Sequence, residues 1–169
     1  MKILIVSDTH RRDGNLREVI KKVSPIDMLI HLGDTEGSEC YFREWIGNDT
    51  CAIYAVRGNN DFFSSLEREK EIKIGKYRVF LTHGHLYGVT LGTEGIKEEG
   101  KSRNADIVMF GHTHKPCLEY WEDMVILNPG SLSYPRQDGR KPSYMIMELD
   151  RDGEAHFTVN YIEKDDIIL

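Results

Sequence analysis

A chain of 169 residues with 40% hydrophobic and 30% charged side chains has the size and composition of one soluble domain with a full core. A net charge of −6 without any Lys/Arg block speaks against a protein that binds nucleic-acid backbone, and no apolar run is long enough to span a bilayer. Cys40, Cys51 and Cys117 are an odd set without CxxC spacing, which suits a reducing cytoplasm better than a disulfide framework.

The opening "MKILIVSDTH" leads from a short apolar run directly into a polar motif, so it is read as a first strand and not a secretory leader. Within it, "KILIVS" (2–7) is continuously apolar, as in a strand buried on both faces. In "NLREVIKKV" (15–23), Leu16, Val19, Ile20 and Val23 form the i, i+3, i+4, i+7 stripe of a helix. "DMLIHL" (27–32) reads as a second buried strand. "SECYFREWI" (38–46) reads as a short helix with Ser38 as its N-cap, and "CAIYAV" (51–56) as a third strand. Alternating strand and helix implies right-handed crossovers and parallel pairing.

After residue 66 the rhythm changes. "REKEIKI" and "YRVFLTH", separated by "GK", alternate like an antiparallel hairpin. Residues 93–104 are a polar helix weakened by Gly95 and Gly100, and "DIVMF" (106–110) is again a strand. The tail offers "CLEYW", "MVILN", "SYMIMEL" and "AHFTVNYI", joined by Asp/Gly turns. The expectation is an α/β protein, one domain over 1–169, with two sheets packed face to face and helices outside.

The chemistry lies at the ends of these strands. "ILIVS" is followed by Asp8-Thr9-His10, "MLIHL" by Gly33-Asp34, and "IYAVR" by Gly58-Asn59-Asn60-Asp61. "VFLT" is followed by His83-Gly84-His85, and "IVMF" by Gly111-His112-Thr113-His114. In α/β sheets, ligands bind at strand C-termini because the loops there converge. Any one of these motifs arises often by chance; five in order, each at a strand end, point to a metal site. Imidazole, carboxylate and amide oxygen without thiolate suit manganese, iron or zinc. Seven such groups are too many for one ion and suit two ions that share a carboxylate. His31 is read as a core histidine within a strand and His156 as a surface residue.

D-x-H, G-D, G-N-x-D, H-G-H and G-H-T-H, with "NPGSLSYPR" at 128–136, together resemble the calcineurin-like metallophosphoesterase superfamily, in particular its small single-domain bacterial and archaeal phosphodiesterases. The resemblance implies a four-layer α/β/β/α sandwich of two mixed sheets with the metals between the sheet ends. It implies Asp8, His10 and His114 for one divalent metal, Asn59, His83 and His112 for a second, and Asp34 as the bridge. It also implies in-line attack on phosphorus by a metal-bridging hydroxide. Manganese is the first expectation; iron, zinc, nickel and cobalt also fit these ligands.

One departure from the family pattern stands out. Many members have His after the Gly-Asn of the third motif, whereas this chain has Asn60. An amide can bond a phosphoryl oxygen but has no titrating proton. Asn60, His85 and Asp61 are therefore the candidate catalytic residues, with leaving-group protonation left to His85, a metal-bound water or no group at all. Asp61 is expected to fix a loop or orient a histidine. Asn60, Arg57 and Ser131 are candidate substrate contacts, and Arg11, Arg12 and Arg136 are further anchors for phosphate. The expected protein is a cytoplasmic phosphodiesterase acting on small phosphoesters, with no nucleic-acid or membrane partner. Exposed aromatics in "EYW" (119–121) make a homodimer a candidate assembly. The alternative is a non-catalytic binding scaffold of the same fold, like a retromer subunit; competent residues at every ligand position favour the enzyme.

Overall fold

The computed structural model describes residues 1–163, so the last six residues of the expected domain lie outside the described residues. The three early strands, β1 (Lys2–Val6), β2 (Met28–His31) and β3 (Ala52–Ala55), pair in parallel as their apolar runs imply. The middle of the chain forms a second sheet from β4 (Glu69–Ile74), β5 (Tyr77–Thr82), β6 (Ile107–Met109), β7 (Pro116–Trp121) and β8 (Met124–Pro129). Its order is β4-β5-β6-β8-β7, with the central pairs parallel and the two edge pairs antiparallel. The last two strands, β9 (Ser143–Leu149) and β10 (Ala155–Tyr161), return to the first sheet and extend it antiparallel beside β1. Both sheets are therefore mixed.

The twofold alternation of strand side chains builds the layers. Ile3, Ile5, Ile30, Met145 and Met147 of the first sheet meet Val79, Leu81, Ile107, Met109 and Leu127 of the second in one buried core. The opposite faces carry Leu4, Val6 and Leu29 against α1 (Gly14–Val23) and α2 (Phe42–Ile46) through Leu16, Val19, Ile20 and Phe42. On the other side, Phe80, Val108 and Ile126 pack on Ile96 of α3 (Glu94–Ser102). The result is the helix–sheet–sheet–helix sandwich.

Two local expectations change. The helix read over 38–46 begins as a 3₁₀ turn, Ser38–Tyr41, before α2. Ser38 is not its N-cap, because its hydroxyl donates to the Asp13 carboxylate at 2.6 Å and leaves the helix amides alone. In 119–121, Tyr120 is exposed, but Trp121 is half-buried with the Lys97 and Lys101 ammonium groups over its ring. Cys40, Cys51 and Cys117 are all free thiols. No helix among the described residues is long and apolar enough to cross a membrane.

Candidate metal centre

The parallel strands end on one edge of the sandwich, and backbone bonds knit their loops together. Asp8 N–H donates to the Gly33 carbonyl at 3.0 Å, His10 N–H to that of Asp34 at 2.9 Å, and Gly111 N–H to that of His83 at 3.1 Å. The loops touch so closely that side chains are excluded. A Cβ on Gly58 would lie 2.1 Å from Asp34 Oδ1, and one on Gly111 would lie 2.0 Å from Ser7 Oγ. Asp8, His10, Asp34, His112 and His114 all have φ between 47° and 69°. Left-handed backbone at non-glycine residues is strained and gathers at functional sites, where the surroundings hold it.

Three imidazoles are oriented through their Nδ1 atoms. His83 Nδ1–H donates to the Leu32 carbonyl at 2.6 Å, and His114 Nδ1–H to the Tyr134 carbonyl at 2.7 Å. His10 Nδ1 lies 2.7 Å from Glu36 Oε1. A carbonyl only accepts, so Nδ1 of His83 and of His114 carries a proton and Nε2 faces inward. This is how metal-binding histidines are held. Burial opposes charge on His83, but Asp8 and Asp34 outweigh it and push the imidazole up to about 9, so a cation would take the place of its Nε2 proton. The inward Nε2 atoms meet carboxylate, amide and imidazole groups. His114 Nε2 is 3.0 Å from Asp8 Oδ1 and 3.3 Å from His10 Nε2. His83 Nε2 is 3.1 Å from Asn59 Oδ1 and 3.4 Å from Asp34 Oδ2. Asp34 Oδ2 is also 3.7 Å from His10 Nε2, so it lies between the two groups.

Asp8 is fully buried; its Oδ2 accepts from Ser7 Oγ and the His112 amide, while its Oδ1 has no hydrogen-bond donor. A buried carboxylate oxygen without a hydrogen-bond donor, ringed by imidazole Nε2 atoms, suits a cation. Two sets have ligand geometry: Asp8, His10 and His114, and Asp8, Asp34 and His83. The donor chemistry is all nitrogen and oxygen, and divalent metals fit it.

The electrostatics agree. Burial opposes charge on Asp8, but His83 and His114 outweigh it and hold the carboxyl below the usual range. Burial is likewise overcome at Asp34, where His83 and two hydrogen bonds from Asn60 keep the carboxylate ionised. Burial, helped by the charge on the neighbouring His83, pushes His112 down. The same two influences push His85 down.

The remaining predicted residues have definite places. His112 stands with its ring 5.2 Å from that of His83, centroid to centroid. His85 is 5.4 Å from His83 and 6.0 Å from His112, with Nδ1 buried and unpartnered. Asn60 clamps Asp34, since its side-chain amide donates to Asp34 Oδ2 at 2.7 Å and its backbone N–H to Oδ1 at 2.8 Å. Asp61 is a loop staple bonded to the amides of Asp34, Glu36 and Gly58, and no described histidine is bonded to it. Ser131 is buried; its hydroxyl donates to the Asp8 carbonyl and accepts from the amides of Ser133 and Tyr134. Arg57 donates to the Phe62 carbonyl, and Arg12 stacks on Tyr134 with its guanidinium carbon 4.7 Å from the ring centroid. His31 is a core histidine bonded to Thr9 and the Gly33 amide, while His156 is exposed and pairs with Asp150.

Sequence reasoning passed over Glu36 and the carbonyls of Leu32 and Tyr134. The proximity of Glu36 to Asp34 in one loop was a usable signal. The two carbonyls leave none, because every residue has one.

Two mixed sheets between helices, with a nitrogen–oxygen ligand set at the strand ends, define the metallophosphoesterase fold. Residues 1–152 match the family model of the calcineurin-like phosphoesterase superfamily domain, and the chain belongs to that superfamily. It is 31% identical to the Bacillus subtilis (strain 168) protein "Probable metallophosphoesterase YsnB", over 90% of this chain and 86% of that one. It is 30% identical to Phosphodiesterase MJ0936 of Methanocaldococcus jannaschii, over 77% of this chain and 83% of that one. Among solved structures it is similar to Vps29 of Entamoeba histolytica, with a TM-score of 0.74 and 23% identity over 96% of this chain and 100% of that one, a likeness of fold alone.

Proposed function

We propose that this protein is a dinuclear-metal-dependent phosphodiesterase. The observation that carries the reading is Asp34 Oδ2 lying between His10 Nε2 and His83 Nε2, at 3.7 and 3.4 Å, beside the orphaned Asp8 Oδ1. Asp8, His10 and His114 would hold one cation, Asn59, His83 and His112 the other, and Asp34 would bridge. When bound, two such cations supply acidified water and the positive charge that in-line displacement at phosphorus needs. Manganese is the ion proposed first.

This chain's own residues set the rest. Asn60 positions Asp34 through both carboxylate oxygens and has no proton to give the leaving group. His85 is the imidazole left to contact the phosphoryl group. Two cavities flank the centre and share Glu36 as a wall. One is lined by Arg11, Asn60, Phe62 and Phe63, the other by His10, His114, Tyr134 and Arg136. Room on both sides suits a phosphorus that carries two ester arms, which favours diesters over monoesters.

The test pairs elemental analysis with hydrolysis of bis-p-nitrophenyl phosphate and of alkyl monoesters, each divalent metal being added back in turn. Aryl diesters are expected to be the better substrates. Asp34→Asn is expected to lower metal content and abolish turnover while the circular dichroism spectrum survives. Two tightly bound metals with full activity in Asp34→Asn, or a clear preference for alkyl monoesters, would overturn the assignment.

A further inference from the structure

The cavity on the His10/His114 side has a volume of about 840 Å³ and is graded in chemistry. At its inner end are two imidazoles of the centre. Next comes Tyr134, 39% exposed, its ring edge-on to His10 at 5.3 Å and backed on Arg12. Arg136 and Arg140, both exposed, belong to the same lining. The Arg136 backbone is pinned to the centre, since its N–H donates to the His114 carbonyl at 3.0 Å.

Position, more than the lack of a partner, singles these arginines out, since Arg103 is the one arginine among the described residues with an ion pair. The chain has 28 acidic against 22 basic side chains, and nearby Lys141 is paired with Glu163. Among the described residues, neither Arg136 nor Arg140 has an ion-pair partner. Glu36, the acid that lines the cavity, is committed to His10 Nδ1. Two guanidiniums left open at one cavity mouth suit a phosphate or carboxylate, for which arginine has fork geometry. The Tyr134 ring in the same lining, 5.3 Å from that of His10, suits stacking of a planar group.

We propose that this cavity is a subsite for one arm of the diester, and that this arm carries a planar ring over Tyr134 and a second anion between Arg136 and Arg140. The substrate class is then a nucleotide-type phosphodiester with an additional phosphate on the retained arm. This rests on the phosphodiesterase reading and narrows it. The cavity beyond Asn60, with Phe62 and Phe63, takes the departing arm.

The test uses two probes that differ in one group: the 5′-(p-nitrophenyl phosphate) ester of thymidine, and the same ester with a 3′-phosphate. In both, water's oxygen bonds to phosphorus, nitrophenolate leaves, and the nucleoside 5′-phosphate remains, so the scissile chemistry is constant. The readout is the ratio of kcat/KM values with manganese. The 3′-phosphate is expected to raise kcat/KM at least tenfold in the native protein, and the ratio is expected to fall to about threefold or less in Arg136→Gln/Arg140→Gln. A native ratio near one, or a ratio retained in the double variant, overturns the subsite. Calorimetry with thymidine 3′,5′-bisphosphate and thymidine 5′-monophosphate decides the same point without turnover. The bisphosphate is expected to bind at least tenfold tighter, with that advantage lost in the double variant; equal binding overturns the subsite. If neither ester nor bis-p-nitrophenyl phosphate is hydrolysed with any metal while the bisphosphate advantage holds, the phosphodiesterase reading fails and the anion subsite stands.

Discussion

Removal of the Asp61 carboxylate tests how the centre is held. Asp61 is 2% exposed and accepts from the backbone amides of Asp34, Glu36 and Gly58 at 2.8, 2.6 and 2.7 Å. These amides belong to the loops after β2 and β3, so one side chain sets the spacing of Asp34 from Asn59. Asp61→Ala leaves two buried N–H groups and the part-buried one of Glu36 without an acceptor, each buried one costing roughly 1–3 kcal/mol. Water admitted to the gap recovers part of this, so a loss of roughly 3–5 kcal/mol is expected. That is a large share of the roughly 5–15 kcal/mol that holds a typical domain. Asp61→Asn retains one acceptor oxygen but turns its NH₂ toward an amide donor, and about 2 kcal/mol is expected. The assay is urea unfolding of chelator-treated protein, with metal content measured separately on protein loaded with manganese. Asp61→Ala should unfold at markedly lower urea and retain less metal. Stability within about 1 kcal/mol of the native protein, at unchanged metal content, would refute the staple.

Gly58→Ala places a methyl group 2.1 Å from Asp34 Oδ1 and 2.4 Å from its backbone nitrogen, so Asp34 must move. Displacement of about 1 Å costs roughly 10²-fold in turnover, and assays at saturating manganese should show that loss; wild-type activity would sink the close-packing argument. His31 gives the pH dependence. Burial pushes its pKa down to about 4, against the pull of Asp61 and Asp8. The unfolded chain therefore takes up this proton first, near pH 6.5, so stability is full above that value and falls as pH drops toward about 4. At roughly 1.4 kcal/mol per pKa unit this amounts to roughly 3 kcal/mol. Denaturant unfolding between pH 7 and 4 should show His31→Gln losing less stability than the native protein by about that amount; parallel curves would rule it out.

The fold was legible where local signals are strong. Continuous apolar runs marked β1, β2 and β3 as strands, although β3 is a half-buried edge, and the candidate ligands were picked out because each came directly after such a run. The return of β9 and β10 to the first sheet was not legible. Their apolar residues show that a face is buried but not which sheet edge takes it, and the register Ile3↔Met147 joins residues at opposite ends of the chain. Ser38 misled for a related reason, because its hydroxyl satisfies a long-range partner, Asp13, and not the adjacent helix.

Within the candidate centre, the residue types were visible and the bonds that orient them were not. His10, His83 and His114 have Nδ1 committed to Glu36 and to the carbonyls of Leu32 and Tyr134. That commitment turns each Nε2 toward Asp8 and Asp34, and the left-handed backbone at Asp8, His10, Asp34 and His114 brings those groups within reach. Both devices act before any cation arrives. Strain at the ligands disfavours the bare loop, while the staple at Asp61 and the clamp of Asn60 on Asp34 prevent its relaxation. A cation that meets Asp8 Oδ1 therefore finds its donors already turned inward, and little ordering of the chain remains to oppose binding.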